Sequence, residues 1–362
     1  MIPIAKPFIG AREQLAVARV LRSGNLAQGP EVAKFEEEFS VRIVEGIPVV
    51  AVNSGTSGLH LAMVARGVTQ GDEIIVPSFT FAATPNSVVL AGARPIFCDI
   101  DPFSFTLDVD KLSDVLSPKT KGIMPVHLFG HPADMERLAK FASAKGLFVI
   151  EDAAQAHGAK VGTQNVGTFG DMSIFSNYPT KNMTSGEGGM VACRNREEAS
   201  RLKLLRNQGM EVRYQNEIVG YNNRMTDIHA AIGRVQLTRL EKWNKKRRSN
   251  ARYLSDQIEN VITPTESEGF THVYHQYTIR VPEDRDGFAK ALLERFKVGC
   301  GVYYPTPTHK LPSLRNFSPI GDLPETDKAA AEVLSLPVHP GLSQRDLDTI
   351  VKSVNILSRA GS

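Results

Sequence analysis

The chain has 362 residues, 42% of them apolar and 22% charged, and its 42 Lys and Arg against 39 Asp and Glu leave a net charge of +3. That length can bury a large core as two domains or one large α/β unit, and the composition excludes gross disorder. A near-neutral balance with both signs spread along the chain argues against a nucleic-acid binder.

In chain order, the opening MIPIAKPFIG has no basic stretch followed by a long apolar one, so no signal peptide is expected. The longest apolar runs are too short to span a membrane. Short apolar runs at 49–53, 73–77, 94–99, 122–127, 147–152, 172–176 and 189–193 predict strands, several rich in Val, Ile and Phe as buried strands are. Helical patterns lie between them. The clearest covers 134–145, where Asp134 can cap the start, Met135, Leu138, Ala139 and Ala142 share a face, and Gly146 can end it. This alternation predicts an α/β fold: a mostly parallel sheet sandwiched by helices, with ligands at the carboxyl ends of strands.

Near Asp227 the texture changes. A long helix is expected over 230–258, carrying the basic run 242–248 with Trp243, the only tryptophan, and the run reads as a solvated face. A strand near 274–281, a helix near 288–296 and a final helix at 344–358 predict a smaller C-terminal α+β domain. The expected division is a large domain over 1–235 and a small one over 236–362. Cys98, Cys193 and Cys300 have neither metal-ligand nor redox spacing, so no metal is expected and a reducing, cytoplasmic setting is.

Four segments follow strands and can carry chemistry. Asn53-Ser54-Gly55-Thr56-Ser57-Gly58 opens a helix, where hydroxyls and free N–H groups favour an anion such as phosphate; a plain helix cap explains it equally well. Pro77-Ser78-Phe79-Thr80-Phe81 offers an aromatic that stacks on a planar ligand or simply fills the core. Glu151-Asp152-Ala153-Ala154-Gln155 ends a buried strand in acid, and a carboxylate there needs a cationic partner unless it only caps or pairs structurally. Ser176 to Gly189 presents Lys181 on a loop, as a Schiff-base nucleophile or an ordinary surface lysine. Each segment alone is ambiguous. Together, a phosphate cradle, an aromatic plate, an acid and a lysine are the parts of a pyridoxal phosphate site.

The chain resembles the DegT/StrS-type sugar aminotransferases of the fold type I pyridoxal phosphate group over nearly its whole length. The resemblance rests on Gly24-Asn25-Leu26-Ala27-Gln28-Gly29-Pro30, Gly55-Thr56-Ser57, Val126-His127-Leu128-Phe129-Gly130-His131, Glu151-Asp152-Ala153-Ala154-Gln155, Ser176 to Gly189, Gly220-Tyr221-Asn222-Asn223-Arg224-Met225 and Leu336-Pro337-Val338-His339-Pro340. It implies Lys181 as the lysine bonded to the cofactor and as proton carrier, and Asp152 as partner of the pyridinium nitrogen. It implies Gln155 near the ring hydroxyl, Phe81 and Ala154 on the two ring faces, and Thr56, Ser57 and Ser176 at the phosphate. Asn222 would reach the phosphate of a second copy, which implies a homodimer with composite sites. Tyr303, Tyr304 and His309 would face the substrate.

The implied reaction moves an amino group from glutamate to a nucleotide-linked keto-deoxysugar, with ping-pong kinetics. A family branch that removes a hydroxyl has histidine in place of the lysine, so Lys181 argues against that outcome. The Thr184-Ser185-Gly186-Glu187-Gly188-Gly189 turn resembles enzymes acting at the 4-keto rather than the 3-keto position. Asn177 and Asn223 replace aromatics often seen in the family. A keto-cyclitol acceptor, or a cofactor-binding regulatory protein without turnover, are the alternative readings.

Overall fold

The computed structural model describes residues 1–317 and 321–360. Residues 318–320, 361 and 362, within the expected C-terminal domain, lie outside the described residues.

The strands in chain order are β1 (Val49–Val52), β2 (Glu73–Pro77), β3 (Arg94–Cys98), β4 (Thr120–Ile123), β5 (Phe148–Asp152), β6 (Lys160–Val161), β7 (Gln164–Asn165), β8 (Met172–Ser176), β9 (Gly189–Cys193), β10 (Phe270–Thr271), β11 (Tyr277–Arg280) and β12 (Val333–Leu336). Seven of them form one sheet in the order β1-β9-β8-β5-β4-β2-β3. β8, β5, β4, β2 and β3 are parallel, and β9 runs antiparallel to both of its neighbours, β8 and β1. Two reversals restore direction, so β1 points the same way as β8. The carboxyl ends of β1, β2, β5 and β8 therefore share one edge of the sheet, and each leads into one of the four sequence segments singled out above.

These strands are buried almost throughout, as their near-continuous Val, Ile and Phe content requires. Separate apolar clusters cover the sheet. One joins Val50, Leu61, Val76 and Ile174 under the helix Gly55–Ala65, and another joins Phe35, Phe39, Ala51 and Phe175 under the helix Pro30–Ile43. The helix Met135–Lys145 has the expected Asp134 cap, with Arg137 N–H donating to the Asp134 side chain at 3.2 Å, and left-handed Gly146 at its end. Ala139 is only half-buried beside buried Met135, Leu138 and Ala142.

Two expectations are corrected. The strand expected over 122–127 ends at Ile123, because Pro125 has no N–H for the ladder. Pairing resumes beyond it, where Asp152 N–H donates to the Pro125 carbonyl at 2.9 Å and His127 N–H to the Asp152 carbonyl at 3.0 Å. The helix expected over 230–258 is two, Asp227–Leu237 and Leu240–Gln257. Thr238 breaks it by donating its hydroxyl to the Val235 carbonyl at 2.7 Å, the local competition with helix bonding that Thr favours.

The basic run is also not wholly a solvated face. Lys242, Lys245 and Lys246 are exposed, but Arg247 is buried and donates to the Tyr274 and His275 carbonyls at 3.0 and 3.3 Å. Arg248 pairs with Glu266 at 2.6 Å.

The C-terminal part has its own core, with Leu254, Tyr277, Ile279, Leu292, Leu336 and Ile350 around the antiparallel pair β11–β12. The chain's start joins it: Ile2 N–H donates to the Lys297 carbonyl at 2.8 Å. Among the described residues no helix is long and apolar enough to cross a membrane.

Candidate active site

At the shared strand edge lies a cavity of about 640 Å³. Its walls include Thr56, Phe81, Asp152, Ala154, Gln155, Ser176, Lys181, Tyr303 and Tyr304, nine of the twelve residues expected in the site. Ser57, Asn222 and His309 do not line it.

The cradle is built by a close approach. Ser54 caps the helix Gly55–Ala65, accepting from Ser57 N–H at 3.1 Å and donating to the Ser57 hydroxyl at 2.9 Å. That bond turns Ser57 toward the cap. A Cβ on Gly55 would stand 2.8 Å from Ser176 Cβ, so only glycine lets the helix start meet the end of β8. The first-turn N–H groups of Gly55 and Thr56, the positive helix end and the Ser176 hydroxyl thus converge on one corner of the cavity, which suits a phosphate.

Adjacent acids at the end of β5 point opposite ways, as strand geometry dictates. Glu151 is fully buried on the far side. It accepts from the N–H groups of Gly167 at 2.7 Å, Phe169 at 2.8 Å and Gly170 at 2.7 Å, and meets His127 Nε2 at 3.1 Å. Asp152 faces the cavity. Thr84 Oγ1 donates to it at 2.8 Å and Ala154 N–H at 3.2 Å, and among the described residues it has no ion pair. Burial raises its pKa against these hydrogen bonds and the Lys181 charge.

Lys181 lines the cavity from a loop and likewise has no ion pair among the described residues. Burial pushes its pKa down to about 8, with Asp152 pulling the other way, so a substantial neutral, nucleophilic fraction is present at mildly basic pH. The loop is held from behind. The Asn177 carbonyl accepts from Ser185 N–H at 3.0 Å and the Thr184 hydroxyl at 2.9 Å, while its side chain meets His157 Nε2 at 3.3 Å. Burial and the nearby lysine hold His157 neutral, with a pKa down to about 3.

Gln155 accepts from Phe129 N–H at 2.7 Å and donates to the Tyr304 hydroxyl at 3.1 Å, leaving one amide N–H to offer. Phe81 is 56% exposed, at the cavity mouth, its ring 5.7 Å from that of Tyr304. His309 instead bonds Ser78, and Asn222 is exposed, bridged to Asn207.

Sequence reasoning missed Thr84, Asn182, Asn244, His275 and Gln276, which sit against the site or its lysine loop. Asn182 lies inside the segment already noted; nothing in the local sequence marks the others, and the partners of all of them lie tens of residues away. Glu187 and Tyr178 also line the cavity, inside the motif already noted.

The residues present fit pyridoxal phosphate. Asp152 is a buried carboxylate with no ion pair among the described residues, its charge supported only by hydrogen bonds and the more distant Lys181, and a protonated ring nitrogen would supply a direct partner. Lys181 is a part-neutral amine, the cradle suits a dianion, and Phe81 and Ala154 both line the cavity that would take the planar ring.

The chain belongs to the DegT/DnrJ/EryC1/StrS aminotransferase family, whose model matches residues 7–355. It is 40% identical over 344 residues to a pleiotropic regulatory protein of Geobacillus stearothermophilus, covering 92% of this chain and 91% of that one. It is 37% identical over 349 residues to dTDP-3-amino-3,4,6-trideoxy-alpha-D-glucose transaminase of Streptomyces venezuelae, covering 95% and 91%. The crystal structure of S. venezuelae DesV is similar with a TM-score of 0.92 at 37% identity, over 96% of this chain and 94% of that one. The protein is accordingly a pyridoxal phosphate-dependent aminotransferase of fold type I.

Proposed function

We propose that the enzyme moves an amino group from glutamate to the ketone of a nucleotide-linked deoxysugar, at the 4-keto position. The observation that carries the transfer chemistry is one cavity holding Lys181, Asp152 and the Gly55–Ser176 cradle together. The nucleotide-sugar acceptor is supported by the transaminase from S. venezuelae. The 4-keto preference rests on the Thr184 to Gly189 turn alone, and the name of that relative places its amine at C3.

Bound pyridoxal phosphate supplies the electron sink that lets a C–H bond beside the transferred nitrogen break. Asp152 holds positive charge at the ring nitrogen and so keeps that sink deep. Lys181 Nζ takes the proton from the donor's α-carbon and, in the second half of the cycle, returns one to the acceptor's carbon. Gln155 offers its remaining N–H at the ring oxygen, while Phe81 and Ala154 fix the ring plane. Thr56, Ser176 and the helix start hold the phosphate, with Ser57 bracing Ser54. Tyr303 and Tyr304 form the wall facing the acceptor.

A homodimer completes the site in this reading. Asn222 is exposed, away from its own chain's cavity, among exposed Val212, Tyr214, Val219 and Tyr221, a placement suited to donation across an interface.

The test supplies purified enzyme with glutamate and, in parallel, 4-keto and 3-keto nucleotide-linked deoxysugars and a keto-cyclitol. Ping-pong turnover of the 4-keto sugar is expected. Faster turnover of the 3-keto sugar overturns the position, and turnover of the cyclitol alone overturns the substrate class. The second reading, a cofactor-binding regulator, is favoured by the name of the Geobacillus relative. It requires that no ketone in the panel be aminated.

A further inference from the structure

His309 sits outside the cavity, yet it is bound tightly to the segment that forms one of its edges. His309 Nδ1 lies 2.5 Å from Ser78 Oγ. Next to it, Thr308 donates twice to the Ser78 carbonyl, from its N–H at 3.0 Å and its hydroxyl at 2.8 Å. Ser78 is fully buried just after β2, with its own N–H on the Cys98 carbonyl at 3.0 Å. It is a fixed point of the main sheet, three residues before Phe81. His309 lies five residues after Tyr304. The clip thus closes a short loop of chain whose other end is Tyr303 and Tyr304, and Tyr304 is the ring beside Phe81.

We propose that His309 is a positioning residue: clipped to Ser78, it fixes the Tyr303–Tyr304 wall in the place where the acceptor binds, without touching the acceptor. This rests on the acceptor reading above. The Thr308 bonds and the Gly301–Ser335 bridge hold the segment's backbone, and the remaining side-chain holds are weaker or elsewhere. The Lys310–Asp327 pair at 2.6 Å is half-exposed, and pairs so placed contribute little. The Gln155–Tyr304 bond acts from inside the cavity. The His309 ring also meets the Phe97 ring at 6.1 Å, so a substitute that keeps the ring separates packing from hydrogen bonding.

The experiment compares His309→Phe, Ser78→Ala, the double variant and His309→Gln, whose amide can still reach Ser78. Hydrogen exchange of residues 301–310 is read on protein without cofactor, and acceptor KM and kcat on the holoenzyme. Each single loss of the clip should speed exchange in 301–310 and raise acceptor KM roughly tenfold, the value of one good hydrogen bond, with kcat little changed. The double variant should be no worse than either single, and His309→Gln should recover most of the loss. Additive effects, unchanged exchange, or a KM rise in His309→Phe without one in Ser78→Ala would overturn the proposal, the last by marking direct contact with the acceptor. If the parent enzyme aminates no keto-sugar, the acceptor reading fails by itself, and exchange still decides whether the clip holds the wall.

Discussion

Asn182 Nδ2 donates to Asn244 Oδ1 at 2.9 Å, and this bond ties the residue after the reactive lysine to the long helix that begins the C-terminal part. Asn182 also donates to the Val273 carbonyl at 3.0 Å, and Asn244 donates to the His157 carbonyl at 2.8 Å. His157 lies five residues past Asp152. One buried amide pair therefore sets the lysine loop against the acid loop.

Replacing Asn244 by Leu keeps the volume and strands two buried polar groups, an Asn182 amide N–H and the His157 carbonyl. The expected loss is about 2–3 kcal/mol of stability, with weaker retention of cofactor. Thermal melting with and without added cofactor checks it. A variant that melts like the parent and keeps its cofactor would show that the pair carries no such load.

The state of Lys181 gives a prediction in pH. Its pKa in the folded protein is pushed down to about 8 from the ordinary 10.5. Between those values the unfolded chain binds the extra proton, so this group makes stability rise as pH rises from about 8 to 10.5 and costs stability below. Labelling of Lys181 by a small acylating reagent in cofactor-free protein, followed by mass spectrometry, should show half-maximal reactivity near pH 8. Asp152→Asn removes the anion that steadies the ammonium and should move that midpoint lower. A midpoint near that of exposed lysines would contradict the burial argument.

The adjacent acids of β5 should separate structure from catalysis. Glu151→Gln replaces an acceptor of three backbone N–H groups by an amide that cannot satisfy all of them, and should cost about 3 kcal/mol in melting. Asp152→Asn should leave melting nearer the parent, relieving a buried charge, and slow the glutamate half-reaction by on the order of a hundredfold or more. The reverse pattern would mean the two roles are exchanged.

Much of this arrangement was legible in the sequence because its parts are local. Strand ends, the Gly55 turn, Asp152 and Lys181 announce themselves by pattern and type, and the family resemblance gives them roles. Strand β4 was overextended because apolar pattern does not weigh the missing N–H of Pro125. The long helix was overextended because Thr238 competes through its hydroxyl, not through its hydropathy. Arg247 read as solvated because charge alone does not reveal two carbonyls waiting in the core. Thr84, Asn182 and Asn244 were illegible for a different reason. Their meaning is the partner, and Thr84 meets Asp152 only after the chain has crossed the sheet.

The most direct test of the central claim is the absorbance spectrum of the purified holoenzyme before and after glutamate. The account predicts a band at the edge of the visible from cofactor bonded to Lys181, shifted toward the ultraviolet by glutamate and missing in Lys181→Ala. A band that no amino donor shifts, or one that persists unchanged in Lys181→Ala, would contradict it.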